Sequence, residues 1–440
     1  MAAFPFVVRE VLRRIYLQAF ALRAGLLILC ISGGGALIRI GMDVAAAHAL
    51  GSTSAYGVFA AVLATTSFAS PLVAAGLNVL AARLIPQFVH SQDYPRLRGF
   101  VCVGLVVTAA AALAAVTVTL AATRTGLHHH WNWALFAVPV ACLYGAAAIA
   151  NGIARGFLRL NQAMLNERVA FEGALLIFIF VTWRVLELNL LMVGTLWAAA
   201  FAAATGWTIA LSGISAGKGL FRQPIVIEPT WFTKCLGLAV AAGSRMLILR
   251  FDIIAFTIVG KAAFAANYAV AARLGDLVSF AALALAPNIA PHIAHLILHG
   301  RRQEAQAVVR SNWILGFCAG LFVILGIVIA GPMILRVYGA GFKEAYGISV
   351  IVALGQFVAL SASPAPEVLV ADGHTEKVVL SIMAGLLTKA ITVYPLYLMM
   401  GPEGPAVSTA ISLAVMAILQ IRYVARFTGL KVGIQTVFSK

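Results

Sequence analysis

Little in this sequence suits a soluble protein. Charged residues make up only 10% of its 440 positions, and acids are the scarcer sign, 15 Asp and Glu against 31 Lys and Arg. With 62% hydrophobic residues and a mean hydropathy of +0.98, the chain lies outside the range of soluble globular domains. Cysteine is also sparse. Cys30, Cys102, Cys142, Cys235 and Cys318 lie far apart in or at the ends of apolar runs, which argues against a disulfide framework and against zinc. No long polar loop separates the apolar runs, and no nucleophile with a base or acid-base pair stands out, so an integral-membrane enzyme such as an oligosaccharide polymerase or ligase is an alternative without visible machinery.

What is present is a series of apolar runs, each long enough for about 30 Å of hydrocarbon, at roughly 24–49, 52–78, 99–122, 131–152, 168–186, 189–213, 231–260, 263–290, 311–335, 346–370, 377–399 and 403–424. They are continuously apolar rather than alternating, so they predict helices and not a β-barrel, because lipid-facing backbone must bond within its own segment. The expectation is an all-α membrane protein of about twelve transmembrane helices. Glycine runs such as Gly33-Gly34-Gly35 read as close helix packing rather than phosphate loops. Pro86 is expected to end the helix of the second span, and Pro364 with Pro366 to bend the tenth.

The charge of +16 is placed, not spread. Twenty-one Lys and Arg fall before the first span, in the even-numbered links and in the tail, against five in the odd-numbered links. By the positive-inside rule this puts both termini in the cytoplasm, in a multi-pass protein of the cytoplasmic (inner) membrane. The basic excess therefore reads as topology and attraction to anionic lipid, and argues against nucleic acid as a partner. Residues 1–23 carry Arg9, Arg13 and Arg14 among apolar residues at helical spacing, as an interfacial amphipathic helix does. His292, His295 and His299 share a helical face that leads to Arg301, and read as interfacial rather than as a metal site.

Both halves follow one plan, and the link at 215–230 divides them: a six-helix bundle over 24–220, a second over 221–426, and a cytoplasmic tail at 427–440. Arg23 to Arg39 is sixteen residues, as is Lys234 to Arg250, which at 1.5 Å per residue puts both arginines about 24 Å beyond a cytoplasmic anchor. Asp43 and Asp252 follow in turn. This predicts two pseudo-symmetric bundles around a central cavity.

Arg245, Arg273 and Lys389 fall near mid-depth by the same arithmetic. Exposing Arg39, Arg245, Arg250, Arg273 and Lys389 to lipid would cost on the order of 10 kcal/mol, so all five are expected to line an aqueous cavity and bind an anionic head group. Local spacing pairs Arg39 with Asp43 and Arg273 with Asp276, while Arg245 and Lys389 have no acid one turn away. Arg250 points about 140° from Arg245, so one of the two is expected to face a neighbouring helix. Asp43, Asp252, Asp276 and Glu172 are the candidates for coupling to H+ or Na+, with Glu367 a further acid at membrane depth; no other cofactor and no metal is expected.

The segments Ala46–Gly51 through Tyr56-Gly57, Gly76–Arg83, Arg250-Phe-Asp252, Tyr268–Leu274, Pro291–Arg301, Tyr338–Phe342 and Gly401–Ala406 are similar, in order along nearly the whole chain, to polysaccharide flippases of the Wzx type (O-antigen and exopolysaccharide). The resemblance implies the multidrug/oligosaccharidyl-lipid/polysaccharide exporter superfamily, with two six-helix bundles in a V and alternating access. It implies as cargo an undecaprenyl-pyrophosphate-linked oligosaccharide turned from the cytoplasmic to the outer leaflet for surface polysaccharide, with transient contacts to polysaccharide-assembly proteins. A cation-coupled multidrug exporter of the same superfamily is the alternative; a cationic drug calls for an acidic cavity, and the mid-depth balance here is basic.

Overall fold

The computed structural model describes residues 33–125, 132–157, 224–298 and 300–436, with Ala163, Leu165, Asn166 and Gly173 besides. These residues are almost entirely helical and include no strand. Ten of the twelve expected spans are described as helices. The span at 189–213, the span at 168–186 apart from Gly173, the helix expected within 1–23, residues 215–223 of the dividing link and Glu172 lie outside the described residues; the rest of that link, 224–229, is not helical and leads into Thr230.

The first half contributes α1 (33–49), α2 (Thr53–Val73), α3 (Leu77–His90), α4 (Tyr94–Thr125) and α5 (Asn132–Gly156). The second contributes α6 (Thr230–Ile258), α7 (Ala262–Leu298), α8 (Arg302–Tyr338), α9 (Ala345–Leu360), α10 (Ala365–Ala371), α11 (Thr375–Met400) and α12 (Gly404–Tyr423). Among the described residues, five helical stretches are long and apolar enough to cross a membrane on that test alone. Their large apolar side chains, such as Phe322, Ile329 and Met399, point outward, as lipid-facing surfaces require.

One expectation about breaks needs correction. Pro86 sits inside α3, which runs on to His90. The second span is instead interrupted earlier, where Ala75 (φ 48°) and Gly76 (φ 71°) adopt left-handed backbone between α2 and α3. Pro71 lacks the N–H that would close a turn in α2, which weakens the helix just before this break. The chain turns here at close quarters: a Cβ on Gly76 would lie 2.3 Å from the Cys235 carbonyl oxygen of α6. The tenth span is broken as its prolines suggest, with 361–364 separating α9 from α10.

The halves meet along α2, which packs on both α6 and α7. At one end their contact is sealed by a single apolar cluster that takes Met42, Tyr56 and Phe59 from the first half and Phe256, Tyr268, Tyr338 and Phe342 from the second. Gly57 packs so tightly there that a Cβ would stand 1.8 Å from the Ala262 carbonyl oxygen. Tyr56 and Phe342 meet edge to face across the same seam, with centroids 5.5 Å apart.

Candidate functional site: a cationic cavity between the halves

Behind this seal lies a cavity of about 490 Å³, within the size range of small-molecule sites. Its walls come from both halves: α1, α2, α3, α5 and Asn166 on one side, α6, α7 and α9 on the other. Among the described residues, the charged side chains of the lining are five arginines, Arg39, Arg155, Arg245, Arg250 and Arg273, and one acid, Asp276. Ala242, Arg245, Met246, Leu249 and Arg250 recur every three or four residues, so one face of α6 forms a wall. Tyr144, Ala148, Asn151 and Arg155 do the same on α5.

Arg39, Arg245, Arg250 and Arg273 thus share one cavity. Arg245 and Arg250 both reach it, where helical angle alone suggested that one would turn away; the long side chain of Arg250 swings to Asp276 on α7, and that bond holds it at the wall. The pairings also differ from the local ones. Asp43 is bound not by Arg39 but by Arg273, whose Nε donates to Asp43 Oδ2 at 2.8 Å across the two halves. Arg39 instead donates to the Tyr144 hydroxyl at 3.4 Å. Each acid is thereby taken by an arginine of another helix rather than by its helical neighbour.

Lys389 departs from the expected cavity lining. Its ammonium is 1% exposed and absent from the wall, and its three protons meet three acceptors: Asp252 Oδ2 at 2.7 Å, the Pro405 carbonyl at 3.0 Å, and Thr409 Oγ1. Asp252 lies two turns beyond Arg245 on α6, where that face meets α11 and α12 instead of the cavity. Tyr268 closes the network through a 3.0 Å bond to Thr409. This is a buried ion pair inside the second half in which every ammonium proton has an acceptor while Asp252 Oδ1 has no hydrogen-bond partner, and no unpaired cation stands there.

Arg245 keeps the character expected of it. It makes no hydrogen bond or ion pair with any described residue and lines the cavity between Ala242 and Leu249. Glu367 and Asp276 act on it only through space. A guanidinium with its donors unclaimed, in a wall that carries four more, is equipped for a bidentate anion such as a phosphate.

Arg155 was missed by sequence reading because it stands among link arginines that look like topological anchors. The signal available was its eleven-residue spacing from Tyr144 and four-residue spacing from Asn151, which put all three on one helical face. The amides of Asn78, Asn151 and Asn166 and the bonded pair Ser279 Oγ to Gln356 Oε1 (2.8 Å) were likewise unannounced.

No protein-family model and no curated protein matches the chain. Solved structures do. The chain is similar to an inward-facing multidrug resistance MATE family transporter of the MOP superfamily at 15% identity and a TM-score of 0.65, over 92% of this chain and 98% of that one. It is similar to an outward-facing MATE family transporter at 12% identity and a TM-score of 0.66, over 93% and 95% of the two chains. It is also similar to a MOP superfamily transporter from Pyrococcus furiosus, for which reverse polarity of the binding pocket suggests a different function, at 13% identity and a TM-score of 0.64, over 92% and 94%. The chain therefore has the two-lobed helical fold of MOP superfamily transporters, and its cargo must be argued from its own cavity.

Proposed function

We propose that this protein is a flippase that carries a polyprenyl-pyrophosphate-linked oligosaccharide, of the undecaprenyl kind, across the cytoplasmic membrane by alternating access. The observation that carries this reading is the charge of the cavity: among the described residues, five arginines against one aspartate, with Arg245 unclaimed by any of them. Such a wall attracts a pyrophosphate through charge-assisted bonds, and water exclusion strengthens them. The sugar rides in the cavity and the polyprenyl chain stays in lipid, so only the head group needs a polar path. Rocking of the 24–220 bundle against the 221–426 bundle exposes the cavity to each leaflet in turn. Both termini lie in the cytoplasm on this reading, where the basic links also meet anionic lipid.

The anionic head group binds at Arg39, Arg245, Arg250 and Arg273, with Arg155 at the far end of the α5 wall. Among the candidates for H+ or Na+ coupling, Asp43 and Asp276 hold cavity arginines and so feel the cargo directly. Asp252 is held by Lys389, away from it. Transient contacts with polysaccharide-assembly proteins would receive the product.

The second reading, export of drugs, is favoured by the multidrug transporters among the structural neighbours. Cationic drugs are repelled by this lining, so that reading requires neutral or anionic compounds.

The test uses cells without their own polysaccharide flippase, supplied with this protein or with Arg245→Ala at matched expression, and quantifies lipid-linked oligosaccharide in each leaflet. The unaltered protein should clear the inner-leaflet pool and the variant should not. A pool that stays inside with both proteins, together with altered drug accumulation, overturns the flippase reading in favour of the second.

A further inference from the structure

The cavity is not uniform in its chemistry. The arginines that pair with acids, Arg250 and Arg273, stand on the second half. The facing wall of the first half carries three amides, Asn78 from α3, Asn151 from α5, and Asn166. Asn166 Nδ2 donates to Asn151 Oδ1 at 3.0 Å, and the two residues are only 6% and 5% exposed. Asn78 is less buried, lines the same cavity, and makes no side-chain hydrogen bond with any described residue.

We infer that Asn78, Asn151 and Asn166 form a saccharide subsite, distinct from the arginines that take the phosphates. This deepens the flippase reading and rests on it. Arginine only donates hydrogen bonds, and its charge is spent best on an anion; an amide both donates and accepts, as a sugar hydroxyl requires, and carries no charge to desolvate. The cluster is also held in shape before any ligand arrives. Gly152, next to Asn151, packs against the backbone of Asn78 so closely that a Cβ would lie 2.4 Å from the Asn78 Cα. That contact fixes α3 against α5, and the left-handed turn at Ala75 and Gly76 starts α3 at Leu77, one residue before Asn78. The Asn151 to Asn166 bond then holds the second and third amides, and Asn78 is left with its donors and acceptor for the cargo. Preorganised polar groups of this kind give discrimination, because a ligand lacking the matching hydroxyls leaves them without partners.

Asn78 is the position to change, since its side chain supports no described neighbour and a fold defect is not expected. Binding of undecaprenyl pyrophosphate and of undecaprenyl-pyrophosphoryl disaccharide would be measured with the purified full chain in nanodiscs, alongside thermal melting of the empty protein. Asn78→Ala should weaken the disaccharide probe about tenfold relative to the bare pyrophosphate, the loss expected for one or two hydrogen bonds, and Asn78→Ser should recover part of the ratio. Arg245→Ala should weaken both probes alike. If Asn78→Ala leaves the ratio unchanged while Arg245→Ala weakens both, the saccharide subsite is overturned and the cationic head-group site stands. If Asn78→Ala changes melting but not the ratio, the amides serve helix packing and the subsite is again overturned. If Arg245→Ala affects neither probe, or the unaltered protein binds neither, the flippase reading falls and the subsite with it.

Discussion

Asp43 and Asp252 hold matching places in the two halves, each just beyond an arginine near the end of the half's first span, yet they are put to opposite uses. Asp252 is bound by Lys389 and Thr409 within its own half, with Tyr268 bonded to the same threonine. Asp43 is bound by Arg273 of the other half, and that arginine also lines the cavity. Both carboxylates are 1% exposed, and in each Oδ1 has no hydrogen-bond partner. Burial is therefore equal, and only connectivity differs. When two halves rock, a bond within one half moves as a body and survives, while a bond between halves has to break and reform. On the alternating-access reading proposed above, Asp252 with Lys389 would hold a bundle together, and Asp43 with Arg273 would latch the sealed end.

The largest effect is expected where the pair is wholly inside one half. Lys389→Ala leaves Asp252 buried without its cation, a change that typically costs about 3 to 5 kcal/mol. Melting in detergent should fall steeply and the yield with it, while Lys389→Met combined with Asp252→Leu should restore most of the stability, since two apolar groups leave no charge behind. A Lys389→Ala protein that melts normally but transports nothing would reverse the assignment and return Lys389 to the functional site.

Arg273 should behave in the other way. Arg273→Ala removes a cavity cation and the bond between the halves together, so transport should drop by about two orders of magnitude, corresponding to ~2.7 kcal/mol. Because it also strands the buried Asp43 carboxylate, the loss is read in Arg273→Ala combined with Asp43→Asn, which should insert and recover most of the melting temperature but not the transport. Arg273→Lys keeps the charge but not the bidentate fork, and should retain a fraction of transport. On the flippase reading, normal export of lipid-linked oligosaccharide by both variants would remove Arg273 from the site.

This contrast also marks what was legible in the chain. Cavity membership was legible for Arg39, Arg245 and Arg273: side chains too polar for lipid in the middle of apolar runs have to meet inside the fold, and they line one cavity, joined by Arg250 against the helical angle that set it apart from Arg245. Partners were not. The spacing of Arg39 with Asp43 and of Arg273 with Asp276 satisfied the rule for neighbours on one helix, but a side chain in a packed bundle also meets side chains of other helices, and those contacts won in both cases. Lys389 was misplaced for the same reason, since its three acceptors lie 16, 20 and 137 residues away. The break at Ala75 and Gly76 was hidden because an alanine in left-handed backbone carries no sequence signal, whereas the gap between α9 and α10 was announced by its prolines.

The finest test of the comparison is Asp43→Asn, the smallest change of the three. The amide keeps the size of the carboxylate and can still accept one bond from Arg273, so neither insertion nor melting should suffer. What is lost is the charge that ties the halves, and Arg273 becomes freer to turn toward the cavity. The sealed end should then open more often, by about tenfold in population if the latch contributes ~1.4 kcal/mol. Spin labels at Ser54→Cys and Lys343→Cys, exposed positions on the two halves near this seam, report the change as a longer component in the distance distribution. The native cysteines would be replaced first. The same labels in a Lys389→Met, Asp252→Leu background should show no such component, because that pair does not cross the halves. An unchanged distribution in Asp43→Asn would mean that the apolar seal of Tyr56, Phe59 and Phe342 closes this end without help from the ion pair. If, in addition, transport keeps its pH dependence in that variant, Asp43 is excluded as the coupling carboxylate, and Asp276, which holds the other cavity arginine, takes its place as the acid to test.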